Sequence, residues 1–166
     1  MPDAEATDGD TSHEAALVDV VMLDLPVEEW RRSQQHHDAL LREFALIQAA
    51  ADEPDESTPD QVPARVTALV HELGTRYGRF SVGPEERLRR AVADGVERID
   101  LTFRVPASAR DASLQLRALL DEADEWCRRG ELMTLATPSD VVEFRNRYLD
   151  EFVRQIDGGA PRPFGR

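Results

Sequence analysis

The chain has 166 residues, 41% hydrophobic and 32% charged, a composition that suits one domain with a sizeable core rather than a disordered protein. Its net charge of -13 repels nucleic acid, and its single cysteine, Cys127, rules out an internal disulfide framework. All 20 basic residues are Arg, which excludes Schiff-base lysines and the lysine of a phosphate-binding P-loop.

Residues 1–14 carry Asp3, Glu5, Asp8, Asp10 and Glu14 and no Lys or Arg, which predicts a disordered acidic tail without the charged start of a signal peptide. No apolar run is long enough to span a bilayer. The expected location is therefore the cytoplasm, with neither membrane nor nucleic acid as a partner. Leu17 to Leu25 is apolar, β-branched and stopped by Pro26, and reads as a strand. From Val27 to Ala51 the period becomes helical, with Val27, Trp30, His37, Leu41 and Phe44 on one face. The stretch 52–61 holds Pro54, Pro59 and five acids, and reads as a flexible linker.

A second helix is expected from Pro63 to Tyr77, with Gly78 as its stop. A third opens at Pro84 and lays Leu88, Val92 and Val96 inward, which leaves 78–84 as a loop. Ile99, Leu101, Phe103 and Val105 alternate with polar residues up to Pro106, the period of a half-buried strand. A fourth helix follows Ser108 and runs to Gly130; Leu132 to Leu135 is a candidate third strand. Thr137-Pro138-Ser139-Asp140 predicts an N-cap with proline at the first helical position. The fifth helix then carries Val141, Phe144, Tyr148, Phe152 and Ile156, and a tail occupies 158–166. The expected fold class is α+β and predominantly helical: about five helices around one core over 15–157, with two or three short strands. An all-helical bundle, with 17–25 and 99–105 merely extended, is the alternative.

No motif nominates a catalytic, cofactor-binding or metal-binding residue. His71-Glu72 begins like a zinc-protease helix, but Thr75 stands where the second histidine must be. His36 and His37 are neighbours on a helix and diverge, so His37 reads as packed and His36 as solvated. Ser81 lacks the first glycine of a nucleophile elbow, its place being taken by Arg79. Among Asp121, Glu122, Asp124 and Glu125, two acids already have an arginine four residues on. Cys127 beside Trp126 reads as a small core residue. Ten arginines outside the expected 99–105 strand follow an acid by four residues, Glu72/Arg76 and Glu86/Arg90 among them, and read as self-compensating helix faces. Arg79 and Arg87, which bracket the expected 78–84 loop, have no such acid and are the candidate anion contacts. Phe164, in Pro161-Arg162-Pro163-Phe164, is the candidate anchor for a partner's groove.

Three segments carry a resemblance: Leu25-Pro26-Val27 with Leu40 to Leu46, Leu119 to Asp124, and Thr134-Leu135-Ala136-Thr137-Pro138 through Tyr148 to Gln155. They resemble small proteins of GC-rich bacteria found beside anti-sigma-type ATP-binding kinases and STAS-domain antagonists. The resemblance implies a regulatory setting and carries over no activity. The expected function is a non-enzymatic regulatory or adaptor role through a protein partner, without a cofactor. The alternative is an enzyme or small-ligand-binding protein whose site is built from dispersed residues. A deep pocket with convergent polar groups favours the alternative, and an exposed apolar patch favours the adaptor.

Overall fold

The computed structural model of the protein describes residues 16–50, 62–130 and 132–165, so the acidic segments expected at 1–14 and 52–61 lie outside the described residues. Leu17–Pro26 forms β1 and Arg98–Pro106 forms β2, paired antiparallel with Val20 opposite Phe103 and Met22 opposite Leu101. Val20, Met22, Leu101, Phe103 and Val105 are buried, while Asp19, Asp100, Thr102 and Arg104 are exposed. The two-residue period thus puts one face of the sheet on the core and the other in water. The register breaks between Met22 and Leu25, where Asp24 takes a φ of 54°. Aspartate tolerates that left-handed conformation. Its N–H donates to Asp100 Oδ1 at 2.7 Å, and Arg98 grips its carbonyl and carboxylate oxygens.

Helix α1 (Val27–Ala50) leaves β1 directly at Pro26. Helix α2 (Val62–Ala93) is one continuous element of 32 residues with Pro84 inside it. This corrects the two helices and the 78–84 loop expected from the sequence. Pro84 has no N–H for the Phe80 carbonyl, a defect that costs about 3 kcal/mol in a helix interior. Packing offsets it: Tyr77, Phe80, Leu88 and Val92 stay in helical phase across the proline and all meet the core beneath the sheet. Helix α3 (Ala109–Arg128) ends as Gly130, at a φ of 74°, turns its N–H to the Cys127 carbonyl. Leu132 to Leu135 forms no strand, and α4 (Ser139–Ile156) has Pro138 at its N-cap position and no side-chain cap, the expected Thr137 hydroxyl bonding Asp124 instead. Among the described residues the fold is therefore α+β, with four helices and a two-stranded sheet.

Val20, Met22, Leu101 and Phe103 join Trp30, Leu88, Phe144 and Phe164 in one buried cluster under the sheet. A second cluster, with Leu40, Phe44, Val66, Leu120 and Leu132, fills the space between the helices. The C-terminal segment packs on the first cluster. Phe164 is 2% exposed and stacks 5.6 Å from Phe144, and its N–H donates to the Leu23 carbonyl at 2.9 Å. Arg162 pairs at 3.0 Å with Glu151, a fully buried carboxylate that also binds Arg154 and Gln155. The Gln155 amide in turn serves both the N–H and the carbonyl of Val21, each at 2.8 Å. One side chain and one tail residue thereby close the outer edge of β1, as a third strand would.

Candidate functional site

The end of the helical layer is organised around Asp124 of α3, which is buried. Its Oδ2 takes Arg145 Nη1 of α4 at 2.9 Å, and its Oδ1 takes the hydroxyl and the N–H of Thr137. Arg145 Nη2 reaches on to Asp121 at 2.6 Å, and Arg145 Nε is buried without a partner among the described residues. His36 Nε2 of α1 lies 2.7 Å from the Thr137 hydroxyl. An ionised carboxylate can only accept, so Thr137 donates to Asp124 and His36 Nε2 must carry the proton that completes the chain. That order leaves His36 unable to draw a proton from Thr137, and the constellation is a clamp joining α1, α3 and α4 rather than an activated nucleophile.

The clamp holds one end of the loop 132–137, and Glu43 of α1 holds the other. The Glu43 carboxylate accepts the N–H of Met133 and, at 2.6 Å, that of Thr134. Burial works against the charge on Glu43, but the bonds from Thr134 and Met133 outweigh it and hold the carboxyl below its ordinary range. Leu132 turns inward to the second cluster. Met133 is 93% exposed and Leu135 is 84% exposed. Leu46 and Ile47, both exposed, follow Glu43 by three and four residues and so share its helix face. Two large apolar side chains thus stand out on a loop whose backbone is fixed, next to two more on α1.

Beside the clamp, α1 and α4 border a partly enclosed cleft of about 270 Å³, lined by Trp30, His36, His37, Phe144, Arg145 and Tyr148. Burial pushes His37 below its usual value against a weaker opposing pull from Asp38, and His36 falls for the same reason against Asp124. Both imidazoles are held towards the neutral form. Burial, reinforced by Glu85, pushes the Tyr148 phenol up. Cys127 is buried in the second cluster, and burial raises its thiol to about 11, which keeps it protonated and unreactive.

Arg79 and Arg87 do not bracket a loop: both are exposed on α2. Arg79 lies over the Phe80 ring at 4.5 Å, and Arg87 donates to the Asp100 carbonyl at the edge of β2 at 3.2 Å. They form no common anion site. Phe164 is taken up by the chain's own core, because Phe144 and the edge of β1 already offer the groove that a partner was expected to supply. Of the acid–arginine pairs expected four residues apart, Glu72–Arg76 and Glu86–Arg90 are present at 3.9 and 3.6 Å. Arg32 instead crosses to Asp140, and Arg98 to Asp24. Sequence spacing missed the Asp124–Arg145 pair, whose members lie 21 positions apart. It also read Thr137 as a cap and Met133 and Leu135 as strand. The signal available was an apolar run between Gly130 and Pro138 too short to build a buried strand of its own. No family model, no curated protein and no solved structure matches the chain.

Proposed function

We propose that the protein is a non-enzymatic adaptor that binds another protein through the 132–137 loop and the adjoining end of α1. The observation that carries this reading is the exposure of Met133 and Leu135, 93% and 84%, on a loop pinned by Glu43. Apolar side chains grouped in water, as these are with Leu46 and Ile47 of α1, are what a contact surface offers, whereas single exposed ones are ordinary. A backbone ordered in advance lowers the entropy lost on association. Methionine adds a flexible, polarisable contact. The resemblance to proteins that neighbour anti-sigma-type kinases and STAS-domain antagonists suggests a bacterial partner-switching setting in the cytoplasm. Among the described residues no helix is long and apolar enough to cross a membrane.

The test is affinity capture from the native cell with wild type and with Met133→Asp/Leu135→Asp, both checked for equal Tm. A protein retained by wild type and lost by the variant supports the adaptor. Identical captures from both remove the loop from the interface. The small-ligand alternative rests on the cleft between α1 and α4, whose apolar walls converge on His36, His37 and Arg145. A ligand there stabilises the wild type but not Arg145→Met, and leaves the loop variant's response intact.

A further inference from the structure

The two edges of the sheet are treated differently. The outer edge of β1 is closed by Gln155 and Phe164. The outer edge of β2 receives one hydrogen bond among the described residues, from the exposed Arg87 to the Asp100 carbonyl at 3.2 Å. Strand geometry says which groups that edge presents. Val21 turns both its N–H and its carbonyl away from β2, towards Gln155. Its register partner Thr102 must then turn both of its own away from β1, and Asp100 and Arg104, two residues to either side, do the same. Three successive backbone donors and acceptors therefore face outward beside exposed side chains.

The side chains on that edge identify what fits it. Read along β2, the outward residues are Asp100, Thr102 and Arg104, an acid and a base placed symmetrically about a small neutral residue. A second β2 running antiparallel about Thr102 sets Asp100 against Arg104 of the second copy, and Arg104 against Asp100, with Thr102 facing itself. Moving the two-fold axis to Asp100 or to Arg104 would put like charges directly opposite, which is destabilising. Arg104 already lies 3.6 Å from Asp19 on the neighbouring strand and is largely exposed, so it would stand between an acid of its own chain and one of the other. We propose that this edge pairs with the same edge of a second copy of the chain, making a four-stranded sheet in the order β1-β2-β2-β1.

The contact is isologous, as two-fold dimers require. It forms about six backbone hydrogen bonds, two at Thr102 and two at each flanking pair. Arg87 keeps a lone pair of the Asp100 carbonyl or swings into water, since a carbonyl accepts two bonds. Pro106 ends the ladder because it has no N–H to give.

The experiment is sedimentation equilibrium of the full chain from about 1 μM to about 1 mM, the range in which small interfaces dissociate. The expected mass rises with concentration from 18.6 kDa towards twice that value. Arg104→Asp and Asp100→Arg each shift the midpoint at least about tenfold towards higher concentration by setting like charges together. The double exchange Asp100→Arg/Arg104→Asp restores opposite charges across the contact and moves the midpoint back towards the wild-type value, short of it because position 104 then faces Asp19 with a like charge. Thr102→Pro is the second probe: the N–H it removes has no partner among the described residues, so the fold and Tm persist while the dimer is lost. A wild type that keeps the mass of one chain at the highest concentration overturns the proposal. So does a dimer indifferent to Thr102→Pro or to both single charge exchanges.

Discussion

The Glu43 carboxylate on α1 accepts the backbone N–H of Thr134 at 2.6 Å, across 91 positions of sequence. A helix thereby fixes a loop that belongs to the opposite half of the chain. Glu43→Gln leaves one acceptor and turns an amide donor towards the two N–H groups, which should cost about 1–2 kcal/mol and lower Tm by several degrees. Because the folded carboxyl lies below its ordinary value, the contribution is present above the ordinary glutamate range. It is lost as the pH falls through the lowered folded value. Wild type and variant should therefore differ in Tm at neutral pH and converge in acid; a constant difference down to about pH 2 would rule out the ionised tether.

Removing Asp124 should be far more damaging. Asp124→Ala takes the buried carboxylate from Arg145, whose side chain is 10% exposed and keeps only the half-exposed Asp121, and leaves the Thr137 hydroxyl without its acceptor. Breaking a buried pair from one side costs about 3–5 kcal/mol. Asp124→Leu/Arg145→Met should recover most of the loss, since apolar replacement of both partners is close to neutral. Denaturant titration of the three proteins settles it, and a double variant no better than the single one would show that the pair is not the source.

His37 makes stability sensitive to mild acid. Its folded value is lowered by burial, so the unfolded chain takes up a proton first and stability falls as pH drops below about 6.5. His36, also lowered, contributes in the same direction. His37→Gln should flatten the Tm profile between about pH 7 and pH 5 without abolishing the slope. An unchanged profile would show that His37 titrates freely.

Pro84 offers a test of helix continuity. In the interior of α2, Pro84→Ala restores the bond to the Phe80 carbonyl and should stabilise by about 1–3 kcal/mol. Were 78–84 a loop and Pro84 the start of a new helix, the same change would be neutral or destabilising. Thermal unfolding distinguishes the two by the sign of the shift.

At the C-terminus, Phe164→Ala should cost about 3–5 kcal/mol, the usual loss for an aromatic ring removed from a core. Truncation after Asp157 should cost at least as much, since it also unpairs the buried Glu151 from Arg162 and frees the edge of β1 at Leu23. A truncated chain with the wild-type Tm would return residues 158–166 to the status of a free tail.

What the sequence determined by itself was local pattern. An apolar, β-branched run marked 17–25 as a strand and alternation marked 99–105 as a half-buried one, while the stripe through Val141, Phe144, Tyr148 and Phe152 marked α4, because burial imposes a pattern on neighbouring residues. Gly78 and Pro84 misled the reading of α2, since a local breaker worth a few kcal/mol was outweighed by packing on both sides of it. The clamp of Asp124, Arg145, Thr137 and His36, the Glu43 tether and the closure of β1 by Gln155 and Phe164 were decided only in three dimensions. Each joins groups far apart in the chain, and a hydrogen bond leaves no spacing in the sequence when its partners are brought together by the packing of other residues.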